Sequence, residues 1–230
     1  SSDAVEYYKS NPTSNYLNKK YWFQEGITYS AVTTKGACFR YYPSIGGFDK
    51  GGPTICYIKY LNYVLGLLNT TVASSILNML NPTINLQVKD VKALPILLES
   101  SKKDIIDSLV KNNINYSKLD WDLFETSWDF KGHPFLNSEF NPMYFDLKTG
   151  LPNKKIESSY EAWEVFSEQQ FLILKHNEEE LNRIFIEIYG LQDELTPEVD
   201  DKDVTIRNAD RERDIKSFIS YAVGCMFGRY

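Results

Sequence analysis

An α+β fold is predicted by three features of the 230-residue sequence. Residues 15–60 are dense in Tyr, Trp, Phe, Thr, Ile and Val with frequent Gly, the composition of short strands joined by turns. Residues 60–80 switch to apolar spacings of three and four, the mark of helix. Beyond Glu99 the helical period dominates. The expectation is a small β-rich unit with short helices at 1–99 and a mainly helical region at 100–230. With 43% hydrophobic and 14% aromatic residues, the chain can bury one good core or two modest ones.

In chain order, Tyr21-Trp22-Phe23-Gln24-Glu25-Gly26-Ile27-Thr28-Tyr29-Ser30 and Cys38-Phe39-Arg40-Tyr41-Tyr42 read as strand segments. Gly46-Gly47 and Gly51-Gly52-Pro53 read as turns in which glycine supplies positive φ. Leu61, Val64, Leu65 and Leu68, then Val72, Ile76, Leu77 and Leu80, predict helices near 59–68 and 71–80, ended by Asn81-Pro82. Ile84-Asn85-Leu86-Gln87-Val88 alternates at period two and predicts a half-buried strand, with 91–98, broken by Pro95, leading out along a sheet edge. Ser100 or Ser101 is expected to cap a helix over 102–111, followed by an aromatic segment with Trp121, Phe124 and Trp128. A connection at 131–157 precedes a long helix starting at Ser158 or Ser159 and ending at Tyr189. It would bury Trp163, Phe166, Phe171, Leu174, Leu181, Ile184, Phe185 and Ile188, with Gly190 as its C-terminal cap. An acidic loop at 193–203 and a last helix over 207–230 complete the reading.

The net charge of −6 is unevenly spread. Residues 1–95 hold nine Lys and Arg against five Asp and Glu, a local excess of +4, while the remainder carries −10. A phosphate backbone responds to the local field, so only the first part suits nucleic acid, and the acidic part should face protein or water. Cys38, Cys56 and Cys225 form no C-x-x-C pair, and His133 and His176 lie far apart, so neither a disulfide framework nor a metal site is expected. No window reaches the run of about 20 apolar residues that a membrane helix needs. The sequence start has neither the basic nor the apolar region of a secretion signal, and a cytoplasmic location is expected.

Catalytic look-alikes are weak. Asn141-Pro142-Met143-Tyr144 resembles the loop that grips the exocyclic amine of a flipped base, but Met stands third and no glycine-rich loop for a methyl donor precedes it, so it reads as a turn. The glycine pairs lack the Gly-Lys-Ser/Thr of a phosphate loop. Glu178-Glu179-Glu180 and Asp200-Asp201-Lys202-Asp203 read as solvated faces, because consecutive helix residues diverge around the axis, and Glu125 and Asp129 as residues that cap or pair. What remains is a mixture of cations and amides, Lys19, Lys20, Lys35, Arg40, Lys50, Lys89, Asn81, Asn85 and Gln87, interleaved with Tyr21, Trp22, Tyr29, Tyr41 and Tyr42. Phosphates need cations and base edges need directed donors. The aromatics by themselves fit a carbohydrate surface or an ordinary core equally well.

Longer strings carry a resemblance. Phe23-Gln24-Glu25-Gly26-Ile27-Thr28-Tyr29-Ser30, Phe39-Arg40-Tyr41, Gly47-Phe48-Asp49, Leu65-Gly66-Leu67-Leu68-Asn69, the run from Leu80 to Val91 and Leu94-Pro95-Ile96 resemble the recognition domain of PglX-type adenine methyltransferases of BREX phage-defence systems. The Leu-Pro-Ile exit is also similar to that of type I and type IIG restriction-modification proteins. Asp120-Trp121-Asp122-Leu123-Phe124-Glu125-Thr126-Ser127-Trp128-Asp129-Phe130, Asn182-Arg183-Ile184-Phe185-Ile186 with Tyr189-Gly190-Leu191, and the string from Ile219 to Tyr230 match the helical part. The resemblance spans about residues 15–230 and implies that the family's sequence continues past Tyr230.

The resemblance implies N6-adenine methylation by the full protein with S-adenosylmethionine as donor. The donor glycine motif and the Asn-Pro-Pro-Tyr loop would lie upstream, leaving this chain without catalysis or cofactor. Residues 1–99 would be the DNA target-recognition domain, a twisted sheet presenting loops to a major groove, and 100–230 a helical spacer or interaction region. Candidate contacts to double-stranded DNA are Lys19, Lys20, Lys35, Arg40, Tyr42, Lys50, Asn85, Gln87 and Lys89, with Arg40 and Lys50 foremost. Expected partners are DNA, the catalytic domain of the same polypeptide, and other defence-system proteins or a phage inhibitor, with no membrane. Two rival readings stand beside this one: a helical scaffold that binds a partner without DNA affinity, and a catalytic methyltransferase using Asn141 to Tyr144.

Overall fold

The computed structural model describes residues 2–12, 19–34, 36–49, 51–137 and 155–230. It is α+β, and the chain divides into two compact units, Ser1–Lys103 and Asp104–Tyr230. Among the described residues no single helix is long and apolar enough to cross a membrane.

The first unit opens with helix α1 (Ser2–Ser10), which the sequence pattern does not announce. Its sheet consists of β1 (Gly26–Tyr29), β2 (Phe39–Tyr42) and β3 (Thr54–Cys56), antiparallel in the order β2-β1-β3. Register places Ile27 between Tyr41 and Ile55, and Thr28 between Arg40 and Thr54. Because side chains alternate across a strand, Ile27, Tyr29 and Phe39 share the buried face. Helix α2 (Leu61–Leu68) packs on β1 and β2, burying Tyr63 and Leu67 completely, and α3 (Thr71–Leu80) packs on α2 after the Thr70 cap. Both helices fall where the apolar period places them.

Asn69, the C-terminal cap of α2, extends the sheet without being a strand. Its Oδ1 accepts from Phe39 N and its Nδ2 donates to Phe39 O, each at 3.0 Å, so a side-chain amide occupies the outer edge of β2. On the opposite side of β1, Gly26 is required: a Cβ there would lie 2.2 Å from the Ile55 carbonyl oxygen. Gly46-Gly47 and Gly51-Gly52 do not adopt positive φ, contrary to expectation. At Gly46 a Cβ would stand 2.7 Å from the Tyr42 hydroxyl, the tip of a half-buried side chain that could shift to admit it.

The strand expected at 84–88 does not form. Only Leu86 of its apolar positions is buried, and pairing is limited to one bridge, Val32 with Asn85, flanked by Thr33 N to Ile84 O and Leu86 N to Ala31 O. Gln87 then caps helix α4 (Val88–Ala93), so 91–98 does not run along a sheet edge. Instead the Tyr63 hydroxyl straps the exit segment, donating to Leu97 O and accepting from Glu99 N.

The second unit is built on α5 (Lys103–Asp122), α6 (Ile156–Tyr189) and α7 (Arg211–Met226). Helix α5 outruns its expected end, and neither serine caps it: a 3₁₀ turn, Ser100–Lys102, leads into it, capped by the Glu99 carboxylate, which accepts from Ser101 N and Oγ. Helix α6, 34 residues and therefore about 51 Å long, starts at Ile156, earlier than the serines, and ends at Gly190 in the left-handed conformation. Among the described residues the unit's core includes a cluster of Leu123, Phe135 and Trp163 with Ile215 and Phe218 against them, and another of Phe171, Leu174, Val204 and Ile206. Buried Asp214 ties α6 to α7, accepting from Trp163 Nε1 at 2.9 Å, Asp210 N at 2.9 Å and Arg213 Nε at 2.7 Å.

Two titrating groups in this unit oppose each other. Burial pushes His133 down to about 4, and burial pushes Asp120 up to about 6 against the fields of Arg207 and Arg213. Below pH 6.5 the unfolded chain protonates its histidine while the folded one stays neutral until about 4, so this group removes stability on acidification. Asp120 acts in reverse: its unfolded form ionises above about 4 and its folded form only above about 6, so stability returns as pH falls through that window. Urea unfolding of Asp120→Asn between pH 6.5 and 4 should therefore show a steeper acid loss than wild type, approaching about 3 kcal/mol from His133. Equal slopes in the two proteins would refute the opposition. Gly26→Ala should cost more than about 3 kcal/mol by the same measurement, because the obstacle is backbone.

Candidate nucleic-acid interface

The open face of the sheet is the one that does not meet α2. Arg40 is exposed there, in a row across the strands with Thr28 and Thr54. Thr28 Oγ1 is committed to Pro53 O, which leaves Arg40 as the projecting group of the row. Its neighbours on the buried face belong to the fold. Tyr29 is core and its hydroxyl is pushed up by burial, so it is withdrawn from any surface role. Tyr41 donates to Glu25 Oε2 at 2.9 Å, and that hydrogen bond holds its own phenol up.

At the Gly26 end of the sheet a 3₁₀ turn, Lys19–Tyr21, carries two exposed cations. Lys20 Nζ lies 4.7 Å from the Tyr21 ring centre and Lys19 Nζ 6.0 Å from that of Trp22. The Tyr57 hydroxyl, just past β3, donates to Lys20 O, and its ring lies 6.0 Å from Tyr21. Tyr42, paired with Gly26, donates to Gly47 O at 2.8 Å. Lys19, Lys20 and Tyr42 thus gather at one end of the sheet, a grouping set by register and by the Tyr57 hydrogen bond.

Asn85, Gln87 and Lys89 lie beyond the Tyr29 end, about 10 Å of strand away, and are exposed. This stretch is organised by two residues. Asn81 Oδ1 accepts from Thr83 N and Oγ1, and its Nδ2 donates to Asn85 O and Asp90 Oδ2. Asp90 also accepts from Gln87 N. The Asn81 bond, the Gln87 bond and the Lys89 charge hold the Asp90 carboxyl below the usual range despite its burial. Gln87 therefore has a structural role as the cap of α4, and Asn85 is fixed through its main chain. Lys35 and Lys50, and the 141–144 motif, lie outside the described residues.

The described residues contain no group of three His, Cys, Asp or Glu placed to hold a metal ion. This part of the first unit offers two exposed ammonium groups, a guanidinium and ring faces, the types of group able to engage phosphate oxygens and bases.

The chain matches no protein-family model. Over 219 residues, 94% of its length, it is 39% identical to the adenine-specific methyltransferase PglX of Lacticaseibacillus casei (strain Zhang), of which it covers 17%. Over a 249-residue alignment taking in 100% of its length, it is 29% identical to the adenine-specific methyltransferase BrxX of Escherichia coli O9:H4 (strain HS), covering 19%. It spans less than a fifth of the length of either relative. Both units align, so the similarity covers the sheet and the helical part alike; the chain is homologous to one segment of the PglX- and BrxX-type adenine-specific methyltransferases.

Proposed function

We propose that this chain is the DNA target-recognition part, with its attached helical part, of an N6-adenine-specific DNA methyltransferase of a BREX phage-defence system. The observation that carries the reading is exposed Arg40 on the open sheet face, with exposed Lys19 and Lys20 beside ring faces at the Gly26 end of the sheet, in a unit homologous to part of two adenine-specific methyltransferases. In this reading the lysines neutralise phosphates and set register, while the Arg40 fork reaches a guanine edge. Methyl transfer from S-adenosylmethionine belongs to the remainder of the full protein, and this segment selects the sequence to be marked.

Fluorescence anisotropy of the chain with duplex DNA across a salt series tests it. Lys19→Ala with Lys20→Ala should weaken binding to all sequences alike and flatten the salt slope by about 2. Arg40→Ala should cost about 1–3 kcal/mol and relax the preference at one base pair. Absence of binding at about 50 mM salt would sink the reading.

A protein-facing role for the second unit is favoured by α7. Ile215 and Phe218 pack against the core, whereas Ile219, Val223 and Met226, further along the same apolar face of the helix, and Phe227, which caps it, are exposed. We assign its partner as the catalytic part of the same polypeptide. Ile219→Ser with Met226→Ser should abolish co-elution with that part produced separately and leave DNA anisotropy unchanged; retained co-elution would refute the assignment.

A further inference from the structure

Phe23 and Tyr57 are the residues other than glycine that adopt positive φ among the described residues, at 55° and 60°. Bulky L-residues rarely take up this conformation, which glycine or asparagine holds at lower cost. Tyr57 has a structural return, since its hydroxyl bonds Lys20 O and its ring lies near Tyr21. For Phe23 the return lies in the backbone, through its N–H to Gly46 O, and not in the ring. The residue is 60% exposed and has no hydrogen-bonding group on its side chain. A bulky, exposed ring at a strained position where glycine could make the same backbone bond points to a ligand.

The surroundings define that ligand. Phe23 N donates to Gly46 O, which brings Ile45, 79% exposed, to the same end of the sheet. The turn carrying Lys19 and Lys20 immediately precedes it. An apolar tip beside cations matches duplex DNA, in which stacked bases lie between two lines of phosphates. Resting on the DNA-binding reading above, we infer that Phe23, with Ile45 beside it, is a wedge that enters a base step of the bound duplex while the lysines hold the flanking phosphates. Apolar wedges unstack and kink DNA, and pyrimidine–purine steps yield most easily. The wedge would thus add sequence preference at a step that Arg40 does not read.

The test uses a 30-base-pair duplex enriched from a random pool by the wild-type chain, with 2-aminopurine or pyrrolocytosine scanned through every position. Wild type should brighten the probe at one step. Phe23→Gly should leave the melting temperature unchanged or raised, since it relieves the backbone, yet weaken binding roughly 5- to 100-fold and abolish the signal. Phe23→Trp should restore the signal, and Arg40→Ala should weaken binding while keeping it. If Phe23→Gly binds and brightens like wild type, or if wild type binds and no position brightens, the wedge is overturned and DNA binding stands. If the wild-type chain enriches no duplex, both fall together.

Discussion

Strands of three and four residues cannot hold a sheet in water by their ladder alone, and in this protein everything in the first unit follows from how α2 seals them. Ile27, Tyr29 and Phe39 lose their water against a helix that buries Tyr63 and Leu67 fully, a gain of about 1.5–3 kcal/mol for each large side chain. The same helix closes the β2 edge through Asn69 and fixes the exit segment through Tyr63. Hydrophobic burial and side-chain hydrogen bonds from one short helix thereby fix β1 and β2, along which β3 pairs, and the chain that leaves the unit.

That arrangement separates the two faces by task. The face toward α2 is filled by rings and aliphatic side chains, and the other is left to Arg40, with Lys19 and Lys20 at its end. In the proposed DNA-binding reading these groups need a rigid base, because every rotor frozen on binding weakens it. The Tyr57 hydroxyl and the short turn before Trp22 supply that base. By contrast, the amide-rich stretch from Asn81 to Gln87 spends much of its polarity on itself, around Asn81 and Asp90.

The helices α2 and α3 could be located from sequence because their apolar residues recur at spacings of three and four, as Val64, Leu68, Val72 and Leu77 show, although α2 is buried on all sides from Tyr63 to Leu68 and Leu80 of α3 is half exposed. Period two misled at 84–88: Ile84 and Val88 are about half exposed, and the alternation records a bridge and a helix cap, not a pleated surface. Helix α1 gave no warning, since Ser2–Ser10 carries no long apolar stripe. At the candidate interface, the exposure of Lys19, Lys20 and Arg40 was readable from charge. Their grouping was not, because it depends on Tyr42 falling opposite Gly26 and on a hydroxyl 37 residues from its acceptor. The positive φ angles were equally hidden, because glycines nearby drew the expectation to themselves while Phe23 and Tyr57 carried it.

The Asn69 amide also governs how molecules of this protein can stick to one another. Growth of a cross-β fibril needs two free strand edges on each molecule, so that every addition exposes a fresh template. With the Phe39 N–H and C=O already taken by a side chain, a strand arriving at β2 would have to displace the Asn69 amide before it could pair along the whole edge. The amide therefore disfavours association of molecules through this edge.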